Sequence, residues 1–242
     1  MYRLGCVFAH PDDETFTAGA TIARLAAAGN HIDLFCATDG DAGKSSGIPV
    51  SSRAELARLR RAELTAAAKI LGITSLSTPG HADGALKEVD PERLVGEVVL
   101  FLRRHRPHVV LTFGPEGAPT QHRDHRAISR AATAAYFLAG LATEYADQLR
   151  EAEPHTPSRL YYTAWDPPEP GSELMALSQP VTCRVRVLEY LDVKRAAFLA
   201  HATQRQHQQR FEELTMLPEE RFALAAGVPQ PRRVTESLFE GL

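Results

Sequence analysis

The chain has 242 residues, of which 44% are hydrophobic and 24% charged, so it can bury a substantial core as an ordinary globular protein. A formal net charge of -3 and a pI near 6.4 supply no broad positive field for phosphate backbones or anionic lipid, which excludes nucleic acid and membrane as expected partners. Cys6, Cys36 and Cys183 show no CxxC spacing, and a disulfide framework is not expected.

The opening Met1-Tyr2-Arg3 leads straight into the apolar run Leu4 to Ala9, without the charged region, long apolar region and cleavage site of a secretory signal. No stretch approaches the ~18 uninterrupted apolar residues of a membrane span, and a cytoplasmic location is expected. Short apolar runs then alternate with helical spacing. Strands are predicted at Leu4 to Ala9, His31 to Thr38, Ser75 to Thr78 and His108 to Phe113, and helices at Thr15 to Ala28, Arg53 to Leu71, Pro91 to His105 and Ala127 to Leu149. Gly29 and Gly72 stand where helix C-caps are expected. This βαβ rhythm predicts an α/β fold, a Rossmann-like doubly wound sheet, mainly parallel, with strand order 3-2-1-4-5.

The later sequence is less regular. Leu160 to Trp165 reads as a fifth strand, Val181 to Val187 as a half-exposed one, and Leu188 to Phe211 as helix, while Asp166 to Pro180 is too rich in proline and glycine for a regular element. One domain over 1–242 is expected, with a Rossmann-like core over 1–150 and a smaller irregular C-terminal portion over 151–242.

Chemistry-bearing residues gather after strands one and four, in Ala9-His10-Pro11-Asp12-Asp13-Glu14 and in Gln121-His122-Arg123-Asp124-His125. With the order 3-2-1-4-5 those strands are neighbours at the point where the winding reverses, where open α/β sheets bind ligands. Two histidines and a carboxylate would supply the three nitrogen and oxygen ligands of a catalytic zinc site, leaving a fourth position for water. Adjacent Asp12 and Asp13 point in different directions, so one can bind metal while the other handles a proton. The same Pro-Asp-Asp-Glu run is also a good helix start, with an aspartate cap and acidic residues complementing the macrodipole.

In these runs the sequence resembles the PIG-L superfamily, the LmbE-like zinc deacetylases, over nearly the whole chain; the AHPDDE run at Ala9 to Glu14 and the HxDH run at His122 to His125 are the most specific elements. The resemblance implies a single zinc ion per chain held by His10, Asp13 and His125, Asp12 as general base, His122 polarising the amide carbonyl, and Asp124 orienting His122 and favouring its protonated form. It implies hydrolysis of the N-acetyl amide of an N-acetylglucosamine-containing conjugate, without a covalent acyl-enzyme, and so a small N-acetylated sugar conjugate as partner.

Further likenesses extend it. Thr38 to Gly43 resembles the family's TxGExG loop with Asp41 in place of glutamate, Arg60 and Glu63 an RxxE pair, and Asp83-Gly84 a DG pair; Arg60 and Asp83 are thereby substrate-binding candidates. As plain sequence, these are also a helix-surface pair and a turn. Lys194, Ala197, His201 and Gln204 resemble a late KxxAxxxHxxQ pattern, whose spacing fits one packed helix face. Thr120 stands where some thiol-pathway members carry a mobile tyrosine. His31, His81, His105, His108, His155 and His207 lack motif support and read as surface or packing residues. Sequence leaves the aglycone open; it is expected to be read by the loops Gly43 to Ser52, Asp166 to Pro180 and Ala225 to Arg233. A homo-oligomer is compatible with this reading. Two rivals stand beside it. A nucleotide-binding Rossmann protein needs a glycine-rich first loop, where His-Pro-Asp-Asp-Glu would repel a pyrophosphate. A metal-binding protein without turnover would not need Asp12 and His122, and an amidase on another small acylated amine stays possible.

Overall fold

Apolar runs four to six residues long, buried on both faces, can only be satisfied inside a sheet covered by helices, and the computed structural model has that architecture. It describes residues 1–117, 120–165, 178–227 and 234–242. Strands β1 (Arg3–Phe8), β2 (His31–Cys36), β3 (Ser75–Ser77), β4 (Val109–Thr112) and β5 (Arg159–Thr163) pair in parallel in the order β3-β2-β1-β4-β5. The parallel order is the one the βαβ rhythm predicts. Two antiparallel strands, β6 (Cys183–Arg186) and β7 (Glu219–Gly227), extend the sheet beyond β5 in the order β5-β7-β6.

Among the described residues six α-helices flank this sheet: α1 (Asp13–Ala27), α2 (Arg53–Leu71), α3 (Pro91–His105), α4 (Arg123–Leu138), α5 (Leu191–Ala200) and α6 (Gln208–Thr215). One group packs α1 against α2 and α5, and another packs α3 against α4. Gly72 closes α2 with a left-handed C-cap, as its place in the sequence predicts. None of the helices among the described residues is long and apolar enough to cross a membrane.

Three elements depart from the sequence reading. The fourth helix begins at Arg123 and ends at Leu138, not at Leu149. Its end is set by buried Arg103, whose guanidinium donates to the carbonyls of Ala139, Leu141, Glu144 and Tyr145 and so satisfies acceptors that a continuing helix would have used. The helix predicted over Leu188 to Phe211 is interrupted at His201 (φ -81, ψ 65) and continues as a 3-10 turn, Ala202–His207, before α6. Strand β7 arises where the sequence reading placed no strand; its alanine-rich Glu219–Gly227 has weak intrinsic β preference and is defined by pairing on both sides. Of the loops expected to read the aglycone, residues 166–177 and 228–233 lie outside the described residues.

Helix α1 is broken internally at Ala18 (φ -144, ψ 15). The break frees backbone groups that the C-terminal half of the chain satisfies: Glu220 accepts from the N–H groups of Ala20 and Thr21, and Lys194 donates to the carbonyl of Phe16. Lys194 and Glu220 meet at 2.7 Å, both buried. The first turn of α1, which carries Asp13 and Glu14, is thereby aimed independently of the rest of the helix.

Candidate metal centre and catalytic cleft

The winding reverses between β1 and β4, and the segments leaving these two strands meet there. Asp13, the first residue of α1, folds its carboxylate back so that Oδ2 accepts from the N–H groups of Ala9 (3.1 Å) and His10 (2.7 Å), fixing the loop after β1. From β4, the chain passes Phe113 and returns as α4, whose first turn delivers His125; its ring lies flat on Phe113 at 3.9 Å.

Three side chains converge at this point. His10 Nδ1 lies 3.2 Å from His125 Nε2 and 3.4 Å from an Asp13 oxygen, and His125 Nε2 lies 3.2 Å from the other Asp13 oxygen. Tetrahedral zinc bonds of ~2.0–2.2 Å place neighbouring ligand atoms about 3.3 Å apart, so the spacing of the two histidine nitrogens suits the ion, with one Asp13 oxygen beside each. The second nitrogen of His10 supports the fit: Nε2 faces Asp83 Oδ1 at 3.1 Å and Asp124 Oδ2 at 3.3 Å. A carboxylate partner there holds the proton on Nε2 and leaves the Nδ1 lone pair for a cation. His125 Nδ1 has the Thr120 hydroxyl at 3.4 Å, which gives that position a polar neighbour behind the second ligand.

The electrostatics also favour a cation. Burial opposes charge on His10, yet the surrounding Asp124, Asp13 and Asp83 raise its pKa well above the usual value. For Asp13, burial alone would raise the pKa; the adjacent His125 and His10 outweigh it and hold the carboxyl far below the ordinary range. Two groups, His10 with His122 and His125, and His10 with Asp83 and Asp124, bring three potential ligand atoms within 4.8 Å of one another. The first uses His122, which is exposed and whose Nδ1 is engaged by the Asp124 N–H, and the second uses the His10 nitrogen that the carboxylates occupy; we therefore favour His10, Asp13 and His125.

Asp12 is set differently from its neighbour. It is the N-cap residue of α1 but makes no side-chain capping bond there, and its backbone has φ 115, a region that costs a non-glycine residue about 1–3 kcal/mol. The capping role open to this aspartate is therefore not what the structure uses. Burial raises its carboxyl pKa to about 6, with Arg60 opposing the shift and Asp13 adding to it.

Arg60 lies elsewhere than a substrate contact would require. It is buried, with guanidinium nitrogens donating to the carbonyls of Pro11 (2.5 Å) and Gly40 (3.0 Å) and one nitrogen 3.5 Å from Asp12 Oδ2. Gly40 makes this approach possible: a Cβ there would sit 2.3 Å from the guanidinium, and its φ of +65 suits glycine. Arg60 thus braces the loop of Asp12, while its helix neighbour Glu63 accepts from the Thr203 N–H and hydroxyl. Asp41 joins the second and third loops, accepting from the Asp83 N–H and from Arg53.

Asp124 also departs from its expected role. It is fully buried, and its oxygens accept from the Gly84 and Leu86 N–H groups as well as facing His10, so the carboxylate orients His10 and the DG turn rather than the His122 ring. The pKa of His122 is lowered, by burial first and then by His10 and His125, while Asp124 and Asp83 pull it the other way. His122 is the N-cap of α4 and accepts the Asp124 N–H at Nδ1 (3.3 Å), an arrangement that assigns the neutral ring's proton to Nε2. It lines a cleft of about 510 Å³ with Gly84, Thr120, Gln121, Arg123 and Arg126.

Among the remaining histidines, His81 pairs with Glu97, His105 with Asp33, and His155 with the Pro107 carbonyl, so they serve packing and loop closure. Sequence reasoning gave no role to Glu14 and only a packing role to Lys194 and His201. Charged or polar side chains on an otherwise apolar helix face were the available signal.

The family model described as PIG-L, GlcNAc-PI de-N-acetylase, matches residues 6–136. A 1D-myo-inositol 2-acetamido-2-deoxy-alpha-D-glucopyranoside deacetylase from Rhodococcus jostii is 34% identical, the match covering 84% of this chain and 81% of the relative. The Rhodococcus opacus protein of the same name is 31% identical over 97% of this chain and 89% of its own length. Among solved structures, N,N'-diacetylchitobiose deacetylase from Pyrococcus horikoshii superposes with a TM-score of 0.74 at 21% identity, covering 92% of this chain and 83% of that one. A 4-carboxy-2-hydroxymuconate hydratase from Pseudomonas putida shares the fold equally well, with a TM-score of 0.72 at 22% identity over 98% of this chain and 100% of that one. Fold likeness alone therefore does not choose the reaction.

Proposed function

Because the chain belongs to the PIG-L family of de-N-acetylases, we propose that it hydrolyses the N-acetyl amide of an N-acetylglucosamine-containing conjugate, releasing acetate and a free amine, with one zinc ion held by His10, Asp13 and His125. The observation that carries this reading is the convergence of those three side chains, with nearest atoms 3.2–3.4 Å apart, beside a carboxylate and an imidazole that metal binding does not need. When bound, zinc supplies Lewis acidity toward the acetyl carbonyl and makes water a nucleophile near neutral pH.

The chain's own residues perform the proton and charge chemistry. Asp12, with a pKa raised to about 6 by burial, takes a proton from the attacking water and returns it to the departing amine. Its basicity is greater than that of an exposed aspartate and still leaves it ionised at pH 7. His122 donates a hydrogen bond from Nε2–H to the acetyl oxygen as negative charge develops, a role that a neutral imidazole fills without giving up its proton. Arg60, bonded to the Pro11 carbonyl, keeps Asp12 in place, and Asp83 and Asp124 keep His10 turned to the ion. Asp83, 3.1 Å from His10 Nε2 and next in sequence to Gly84 of the cleft wall, serves also as a sugar contact.

The test is acetate and free-amine release by zinc-loaded protein from a panel of N-acetylglucosaminides, including the inositol glycoside on which the named relatives act. Release from at least one member, abolished by chelation and restored by zinc, is the expected result. No release from any member would refute the substrate class.

A further inference from the structure

The proposed base holds a backbone conformation that its residue type disfavours, and a buried chain of polar groups leads from it to the far end of the protein. Asp12 has φ 115. Its N–H donates to Glu14 Oε2 at 3.1 Å. The other oxygen of Glu14 accepts from the Thr15 hydroxyl at 2.6 Å and from His201 Nε2 at 2.9 Å. Glu14 and His201 are 1% and 0% exposed, so water does not compete for these bonds.

His201 reaches Glu14 only because the helical run breaks at that residue. Helical periodicity extends over 188–211, yet α5 stops at Ala200 and His201 takes φ -81 and ψ 65. Its Nδ1 has no partner among the described residues, so the Glu14 carboxylate is the group that compensates burial of the ring. The turn that follows is fastened to the catalytic half: Thr203 bonds Glu63, and Gln204 bonds the Lys44 carbonyl.

We propose that His201 is a positioning residue that, by donating to Glu14, holds the Asp12 peptide in its left-handed conformation and so aims the Asp12 carboxylate at the reacting centre. The inference rests on the reading of Asp12 as base. A histidine that merely filled space would leave Asp12 unaffected when its donor was moved but its bulk kept.

Two amides separate these cases. A glutamine side chain extends its amide to the level of Nε2, whereas asparagine ends near the level of Nδ1 and falls short of Glu14. In zinc-loaded full-length protein, H201Q is expected to keep kcat within about threefold of wild type, and H201N to lose on the order of ten- to a hundredfold in kcat with KM and zinc content little changed. Hydrogen exchange at the Asp12 amide, read without any substrate, is expected to be faster in H201N and unchanged in H201Q. An H201N protein with wild-type exchange and wild-type kcat overturns the proposal, as does faster exchange with unchanged kcat, or an equal loss in both variants. Should H201N fail to fold, Glu14→Gln, which sets an amide donor against one of the three donors, must show the same faster exchange and lower kcat. If the wild-type protein deacetylates nothing, the functional reading fails, and the exchange measurement alone decides whether His201 holds the Asp12 peptide.

Discussion

Adjacent Asp12 and Asp13 point in different directions because α1 starts between them. Asp13 is helical and turns its carboxylate onto the Ala9 and His10 amides beside His125, whereas Asp12 is left-handed and turns toward Arg60. That division was legible in sequence as two neighbouring side chains that cannot point the same way. The turn of Asp124 toward His10 and the burial of Arg60 were not, since both depend on where the DG turn and the Pro11 and Gly40 carbonyls come to lie. His122→Ala should keep zinc and lower kcat by on the order of a hundredfold, because it removes a donor to the developing oxyanion and no ligand. Zinc analysis beside steady-state kinetics checks this; loss of metal comparable to that of His125→Ala would place His122 among the ligands.

At the scale of elements, the break in α1 and the break after α5 are related: each exposes groups that the other half of the chain satisfies. Lys194 is buried against Glu220, which itself caps the second half of α1. Removing one partner of a buried pair strands the other, so Lys194→Met should destabilise the protein by about 3 kcal/mol, measurable by denaturant titration. A change below about 1 kcal/mol would mean that the backbone amides alone satisfy Glu220. The His201 bond to Glu14 adds a pH dependence. Burial opposes charge on His201, but Glu14 outweighs it and raises the pKa above 6.5. A raised native value contributes stability that is complete below the unfolded value of about 6.5 and is lost as pH rises through the native one. The melting temperature of wild type should therefore fall more steeply than that of H201Q as pH rises above about 6.5, and equal slopes would contradict the assignment. Sequence periodicity could not locate these breaks, because the apolar face continues across them. Nor could it find β7, whose alanines become a strand by pairing with β5 and β6.

For the whole molecule, the order β3-β2-β1-β4-β5 is what makes two distant runs, at residues 9–14 and 121–125, into one site, and that order followed from the βαβ rhythm. The proposed ligands stand on segments beyond the strand ends and outside the apolar core, so chelation should abolish activity while leaving the sheet's circular dichroism in place. Collapse of the fold on chelation would assign the ion a structural role. The proposed reaction depends on one residue binding metal and its neighbour moving a proton. Zinc content and single-turnover rate, measured side by side for Asp13→Ala and Asp12→Asn, test that division most directly. Asp13→Ala should lose zinc, and Asp12→Asn should retain it while the rate falls by roughly a hundred- to ten-thousandfold. A zinc-replete Asp12→Asn protein that turns over at near the wild-type rate would contradict the account.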